Sequence, residues 1–254
     1  MFFRTAMLAA ALALCGLPAS AQSSLGVTAA EFALGQGAGP GLSGSYATLW
    51  VDTAITDFHG IQLDFAAEHT PWGGLGHVSG HLYLAPRDGQ KYGLFATVGD
   101  LDGGSFTVGL AGLEGRFALG PSAAFALHGG LGLAHRMTAP ERMDFLFIGG
   151  GVDIAASKAL SFGLGVELAE FEEAGLQAVG YGIGLSAGYR PRGTPWALSA
   201  DLGLTGLTGR DPAPAEPVAR IGLVYRFGDP GPDPARGAFR RADPYAPMAL
   251  RGMF

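Results

Sequence analysis

The sequence is short of thiols, of lysine and of charge. Its one cysteine is Cys15, and lysine occurs only at Lys91 and Lys158 in 254 residues. Cys15 lies in an apolar amino-terminal run, so the chain beyond that run has no thiol, which excludes a disulfide framework and a thiolate metal centre. Charged residues make up 15% and hydrophobic residues 48%, a balance too apolar for a disordered chain. The formal net charge of −6 argues against nucleic acid as a partner, because phosphate binding needs a basic surface. Beyond the amino terminus there is no run of about 18 apolar residues free of charge and glycine, so a spanning helix is not expected.

Glycine is in excess instead, at 43 residues, more than twice its usual share and hard to reconcile with a helical protein. The amino terminus reads as a secretory leader over residues 1–21: Arg4 supplies the charged start, Ala6 to Leu17 the apolar run, and "ASAQ" (Ala19 to Gln22) a small-residue cleavage site after Ala21. Losing Arg4 makes the net charge one unit more negative. Cys15 follows the bulky Leu14, which makes lipid anchoring the weaker reading.

The remainder has a period of two. In "KALSFGLGVELAEF" the residues Leu160, Phe162, Leu164, Val166 and Leu168 share one face, and Ser161, Gly163, Gly165 and Glu167 the other. "TPWALSADLGLT" places Trp196, Leu198, Ala200, Leu202 and Leu204 opposite Ser199, Asp201 and Gly203. A soluble sandwich also alternates, but its strands are usually about 5 to 6 residues long. These segments run to about 10 to 15, the length a tilted strand needs to cross a bilayer. Lipid cannot hydrogen-bond exposed backbone, so such strands must close into a barrel without edges.

Twelve segments are expected, near 24–36, 43–55, 58–69, 75–86, 90–101, 104–118, 121–136, 142–156, 158–171, 174–190, 194–208 and 216–227. Alternate connections are tight ("RDGQ", "LGPS", "ASK"), while the others hold insertions such as "GQGAGPGLSG" and "GRDPAPAE". Short periplasmic turns with more variable outer loops follow from that, and no outer loop is long enough to fold in and narrow a pore.

The last segment, "RIGLVYRFG", carries Arg220, Gly222, Tyr225 and Phe227. This spacing resembles the carboxyl-terminal strand motif by which the outer-membrane assembly machinery recognises its clients. Together with the other strands it makes the chain resemble, over about residues 22–227, the Gram-negative outer-membrane β-barrel proteins of the porin-like superfamily. The resemblance implies an all-β, up-and-down antiparallel transmembrane barrel in the outer membrane, with lipid, lipopolysaccharide, the barrel assembly machinery and small solutes as partners, and with no cofactor. Family members commonly end at that aromatic, whereas here residues 228–254 follow. Pro230, Pro232, Pro234, Pro244 and Pro247 keep this tail out of the sheet, and it reads as a flexible periplasmic extension, favoured as a solvated tail without function, with contact of Arg236, Arg240, Arg241 and Arg251 to anionic partners as the alternative.

On this reading the polar face lines the lumen with Asp64, Glu68, His77, His81, Glu114, Arg116, His128, Arg136, Glu167, Asp201, Arg220 and Arg226. The signs nearly balance, so Arg–carboxylate bridges that hold the barrel's shape are expected. Gly130, Gly132, Gly163, Gly165, Gly180, Gly182 and Gly184 leave room for an aqueous path. In "IQLDFAAEHTPWGGLGHVSGHLYL", a turn centred on Trp72 and Gly73 sets Glu68 across from His77 and Asp64 across from His81, with Ser79 between the histidines. A carboxylate-held histidine beside a hydroxyl is how a nucleophilic serine is activated. The two histidines, four apart on a strand and so roughly 13 Å apart, cannot share a metal. The favoured function is a passive channel for small solutes or ions. The alternatives are a barrel hydrolase acting on lipid or peptide through Ser79, and a non-conducting structural or adhesive barrel.

Overall fold

Alternating apolar side chains and abundant glycine build strands, and among the described residues helical turns occur only near the carboxyl terminus. The computed structural model describes residues 26–101, 106–136, 142–173, 176–228, 234–240 and 242–250. The expected leader, residues 1–21, lies outside them. Twelve strands follow in order: β1 (Val27–Gly39), β2 (Leu42–Ala54), β3 (His59–Thr70), β4 (Gly73–Arg87), β5 (Gln90–Leu101), β6 (Phe106–Gly120), β7 (Ala123–Arg136), β8 (Arg142–Ala155), β9 (Leu160–Glu173), β10 (Leu176–Tyr189), β11 (Trp196–Gly209) and β12 (Ala213–Gly228). Each pairs antiparallel with its neighbours in sequence, and β12 closes on β1 from Ala29↔Gly228 to Ala38↔Ala219. No edge is left for lipid to meet.

The even count brings Gly26 and Gly228 out at one end, called here the inner end; the other is the outer end. The connections are short at both ends. The first expected outer insertion is absorbed into the strands: β1 runs through most of "GQGAGPGLSG" and turns at Pro40 and Gly41; "MTAPE" lies outside the described residues. Proline at the first central position and glycine with φ 74° at the second are the requirements of a type II turn. Pro86 is accommodated where the β4–β5 register shifts between Leu84 and Arg87, a bulge that spares the ladder a missing donor.

The outer wall is apolar and fully presented, as at Leu113, Leu131 and Leu202. Trp196, Tyr225 and Phe227 cluster on it near the inner end, with ring centroids 4.7 and 4.5 Å apart, where an aromatic girdle belongs. Among the described residues no helix is long and apolar enough to cross a membrane.

Inside, the outer half of the lumen on one side is filled by Leu75, Leu101, Phe106, Val108, Phe145 and Phe171. Part of the chain after β12 is described. Its described part re-enters the lumen from the inner end and climbs it, first as a 3-10 turn, Pro234–Arg236 against β5, β6 and β7, and last as α1 (Tyr245–Leu250) against β10 and β11. Proline bars this segment from the ladder but not from packing. Ala235, Phe239, Ala242, Met248 and Ala249 are buried, and the glycine-rich wall leaves them the volume: a Cβ at Gly180 would come 2.6 Å from Pro247 Cβ. The carboxyl-terminal segment occupies the space inside the barrel.

Candidate functional site

The lumen is organised as ion clusters, each formed where inward-facing positions of neighbouring strands come level. On β2, β4 and β5, Lys91 Nζ lies 2.8 Å from Asp52 Oδ2, and Tyr83 donates its hydroxyl to the other carboxylate oxygen. The ammonium also sits 3.9 Å from the centroid of the Tyr83 ring and 4.4 Å from that of Phe239. Lys91 is only 1% exposed, so the carboxylate and the ring faces take the place of its water.

Next to it, His81 stands between two carboxylates. Nδ1 is 2.8 Å from Glu114 Oε1 and Nε2 is 3.1 Å from Asp64 Oδ2. Gln62 Nε2 donates to Asp64 at 2.8 Å, and Gln62 Oε1 accepts the backbone N–H of Phe239 at 2.9 Å. The carboxyl-terminal segment is thereby tied to the wall at mid-lumen. Phe239 stacks on His81 at 5.8 Å and meets Tyr83 edge-on at 5.8 Å.

The hairpin register differs from the expected one. Thr70 pairs with Gly73, so Pro71 and Trp72 form the turn, and Asp64 faces Ser79 while Gln62 faces His81 and Ala66 faces His77. The turn sits one position earlier than the sequence predicts, which slides the ladder by two and keeps every side chain on its face. The acid–histidine pairs persist on the diagonal, with His77 3.6 Å from Glu68. The expected serine–histidine relay is not assembled. Ser79 Oγ is hydrogen-bonded to Thr97 at 2.8 Å, and both ring nitrogens of His81 are engaged by carboxylates.

The remaining expected lumen residues are placed as follows. Arg116 reaches Asp153 at 2.7 Å and donates to the Pro234 carbonyl at 3.0 Å. His128 Nε2 is 2.7 Å from Glu167. Arg220 meets Glu68 at 3.4 Å and Asp243 of the carboxyl-terminal segment at 3.5 Å, and it faces Asp201 across the β11–β12 ladder. Arg226 pairs with Glu31 at 2.5 Å near the inner mouth. The Arg136 side chain lies outside the described residues, as do Arg241 and Arg251.

Asp52, Lys91, Gln62, Tyr83 and Asp153 escaped the sequence reading. The parity of β2 and β8 would have placed Asp52 and Asp153 inward, since Val51 and Ile154 are lipid-facing neighbours. With these acids and Glu31 added, the expected balance of signs does not hold: among the described residues, carboxylates on the lumen wall outnumber the cations Lys91, Arg116, Arg220 and Arg226.

Two cavities remain beside the inserted segment. One, of about 500 Å³, runs from Pro40 and Gly41 at the outer end past Glu68, Glu167 and Gly182 to Asp201 and Arg220. The other, of about 370 Å³, runs from Ser157 and Lys158 at the inner end past Glu31 and Arg226 to the same Asp201 and Arg220.

The whole barrel is similar to solved outer-membrane channels. The NanC porin superposes with a TM-score of 0.59 at 10% identity, covering 77% of this chain and 98% of that one. The fold is that of the outer-membrane porin barrels. An outer-membrane channel of Pseudomonas putida F1 gives 0.55 at 11% identity over 83% and 99% of the two chains. The KdgM porin, solved with a disordered oligogalacturonate, gives 0.52 at 13% identity over 79% and 99%. No protein-family model and no curated protein sequence matches the chain. These likenesses are of fold.

Proposed function

We propose that the protein is an outer-membrane channel through which small solutes or ions diffuse passively, with its own carboxyl-terminal segment narrowing the bore. The observation that carries this reading is that two cavities, one reaching each rim, share Asp201 and Arg220 in their lining. Opened into one another across that pair, they would give a route beside the segment between the two rims, with Glu68, Glu167, Glu31 and Arg226 among a more apolar lining. An apolar outer wall and an aromatic cluster at one rim place the barrel in a bilayer, and the porin fold favours the outer membrane. Mechanism is diffusion past a lining of paired charges, without a cofactor.

Single-channel recording on the full chain in a planar bilayer tests this. Discrete current steps are expected, smaller than those of an unobstructed barrel of this size. Persistent silence on a folded protein refutes it, and a hydrolytic activity abolished by Ser79→Ala establishes the enzyme reading in its place. The arrangement around Ser79 favours the channel, since that hydroxyl has Thr97 rather than a histidine as its neighbour.

We also assign the strand β12 the role of assembly signal, through Arg220, Gly222, Tyr225 and Phe227. Their side chains divide as that role needs: Tyr225 and Phe227 lie on the lipid face and Arg220 in the lumen. Lipid, lipopolysaccharide and the barrel assembly machinery are the envelope partners this implies.

A further inference from the structure

Arg240 is held as a bound ligand is held. Its Nη2 pairs with Asp153 Oδ1, and its guanidinium lies against three glycines of the wall. A Cβ at Gly165 would come 2.8 Å from Nη1, one at Gly151 2.9 Å from the same atom, and one at Gly163 3.1 Å from Nη2. The β8–β9 register sets Gly151 opposite Gly165 and Asp153 opposite Gly163, so three glycines and a carboxylate form one cross-strand square. A planar, delocalised cation suits such a place, stacking on bare backbone while its edge meets the acid. An ammonium gains nothing from the flat floor. Glu167 and Asp201, which line the adjoining cavity, extend the negative field toward the solute route.

We propose that this square is a guanidinium-binding site of the lumen, that the chain's own Arg240 is its resident occupant, and that free guanidinium-bearing solutes exchange with it. The site rests on these contacts, and its bearing on transport rests on the channel reading above. An acidic sugar chain of the kind found with the KdgM porin would meet repulsion from this wall.

The full chain carrying Arg240→Ala vacates the seat without shortening the segment. N-ethylguanidinium is the probe, titrated by calorimetry into the detergent-solubilised variant. Saturable binding is expected in R240A, with at least tenfold weaker binding in wild type, where Arg240 competes. At least tenfold weakening is also expected in R240A/D153N and in R240A/G165A. The second double variant fills the floor but spares the carboxylate and its bridge to Arg116, so it decides the question if the first does not fold. No binding to R240A, or binding indifferent to Gly165→Ala, overturns the proposal. Calorimetry needs no current, so a silent bilayer refutes the channel and leaves the site standing, while a conducting channel without saturable binding refutes the site alone.

Discussion

Asp153 on β8 holds two arginines at once: Arg116 of β6 at 2.7 Å and Arg240 of the carboxyl-terminal segment. One carboxylate therefore braces the wall and anchors what fills the bore. Arg116 reinforces the arrangement by donating to the Pro234 carbonyl. Inserted segment and barrel are joined by charge-assisted bonds, which are stronger than neutral ones, and by apolar contacts, one around Phe239 and one where Ala242 and Met248 pack into the cluster of Phe106, Phe145 and Phe171.

Phe239→Ala is expected to release the segment. The ring is buried between His81, Tyr83 and Lys91, and truncating a buried phenylalanine costs about 3 kcal/mol or more. The loss falls on the seated state rather than on the ladder, shifting the ratio of seated to released by roughly a hundredfold. Larger or more frequent current steps in a planar bilayer, together with faster tryptic cleavage after Arg240, are the expected readouts. Unchanged steps and unchanged cleavage would contradict the seating described above.

Asp52→Asn is expected to destabilise the barrel by about 3–5 kcal/mol, because it leaves the Lys91 ammonium buried without its carboxylate. Adding Lys91→Met should restore most of that loss, since removing both charges of a buried pair is often close to neutral. Urea unfolding of the protein in lipid vesicles measures both. A single variant as stable as wild type would show that Tyr83 and Phe239 alone sustain the lysine.

Phe227→Ala is expected to cut the amount of folded barrel recovered from outer membranes by about tenfold, a size set by comparison with the roughly 1.4 kcal/mol that a tenfold change represents. Phe254→Ala should leave the yield unchanged. The heat-modifiable band on electrophoresis reports the folded fraction. The reverse pattern would assign the assembly signal to the end of the chain.

The barrel was legible because its signal is local. Leu160 to Leu168 and Trp196 to Leu204 declare a two-residue period without reference to any other part of the chain, and the twelve expected segments fall within a few residues of the observed strands. The hairpin of β3 and β4 shows where such reasoning slips. Pro71 and Trp72, not Trp72 and Gly73, make the turn, and a ladder displaced by two keeps the same faces but changes each partner. The lumen clusters were partly legible for the same reason: which face Asp64, His81 and Glu114 occupy follows from parity, but that His81 bridges two acids depends on three strands being level.

By itself the sequence determined that strands form, which side of each meets lipid, and that the sheet must close, since a chain with this alternation leaves the backbone no other way to satisfy its hydrogen bonds in a bilayer. Only the tertiary structure decided what fills the bore. A proline-rich, arginine-bearing tail has no period to betray its destination. Its place beside Asp153 and over Gly151, Gly163 and Gly165 arises from a cavity whose shape and charge exist only once β8 and β9 are paired and the ring of strands is shut.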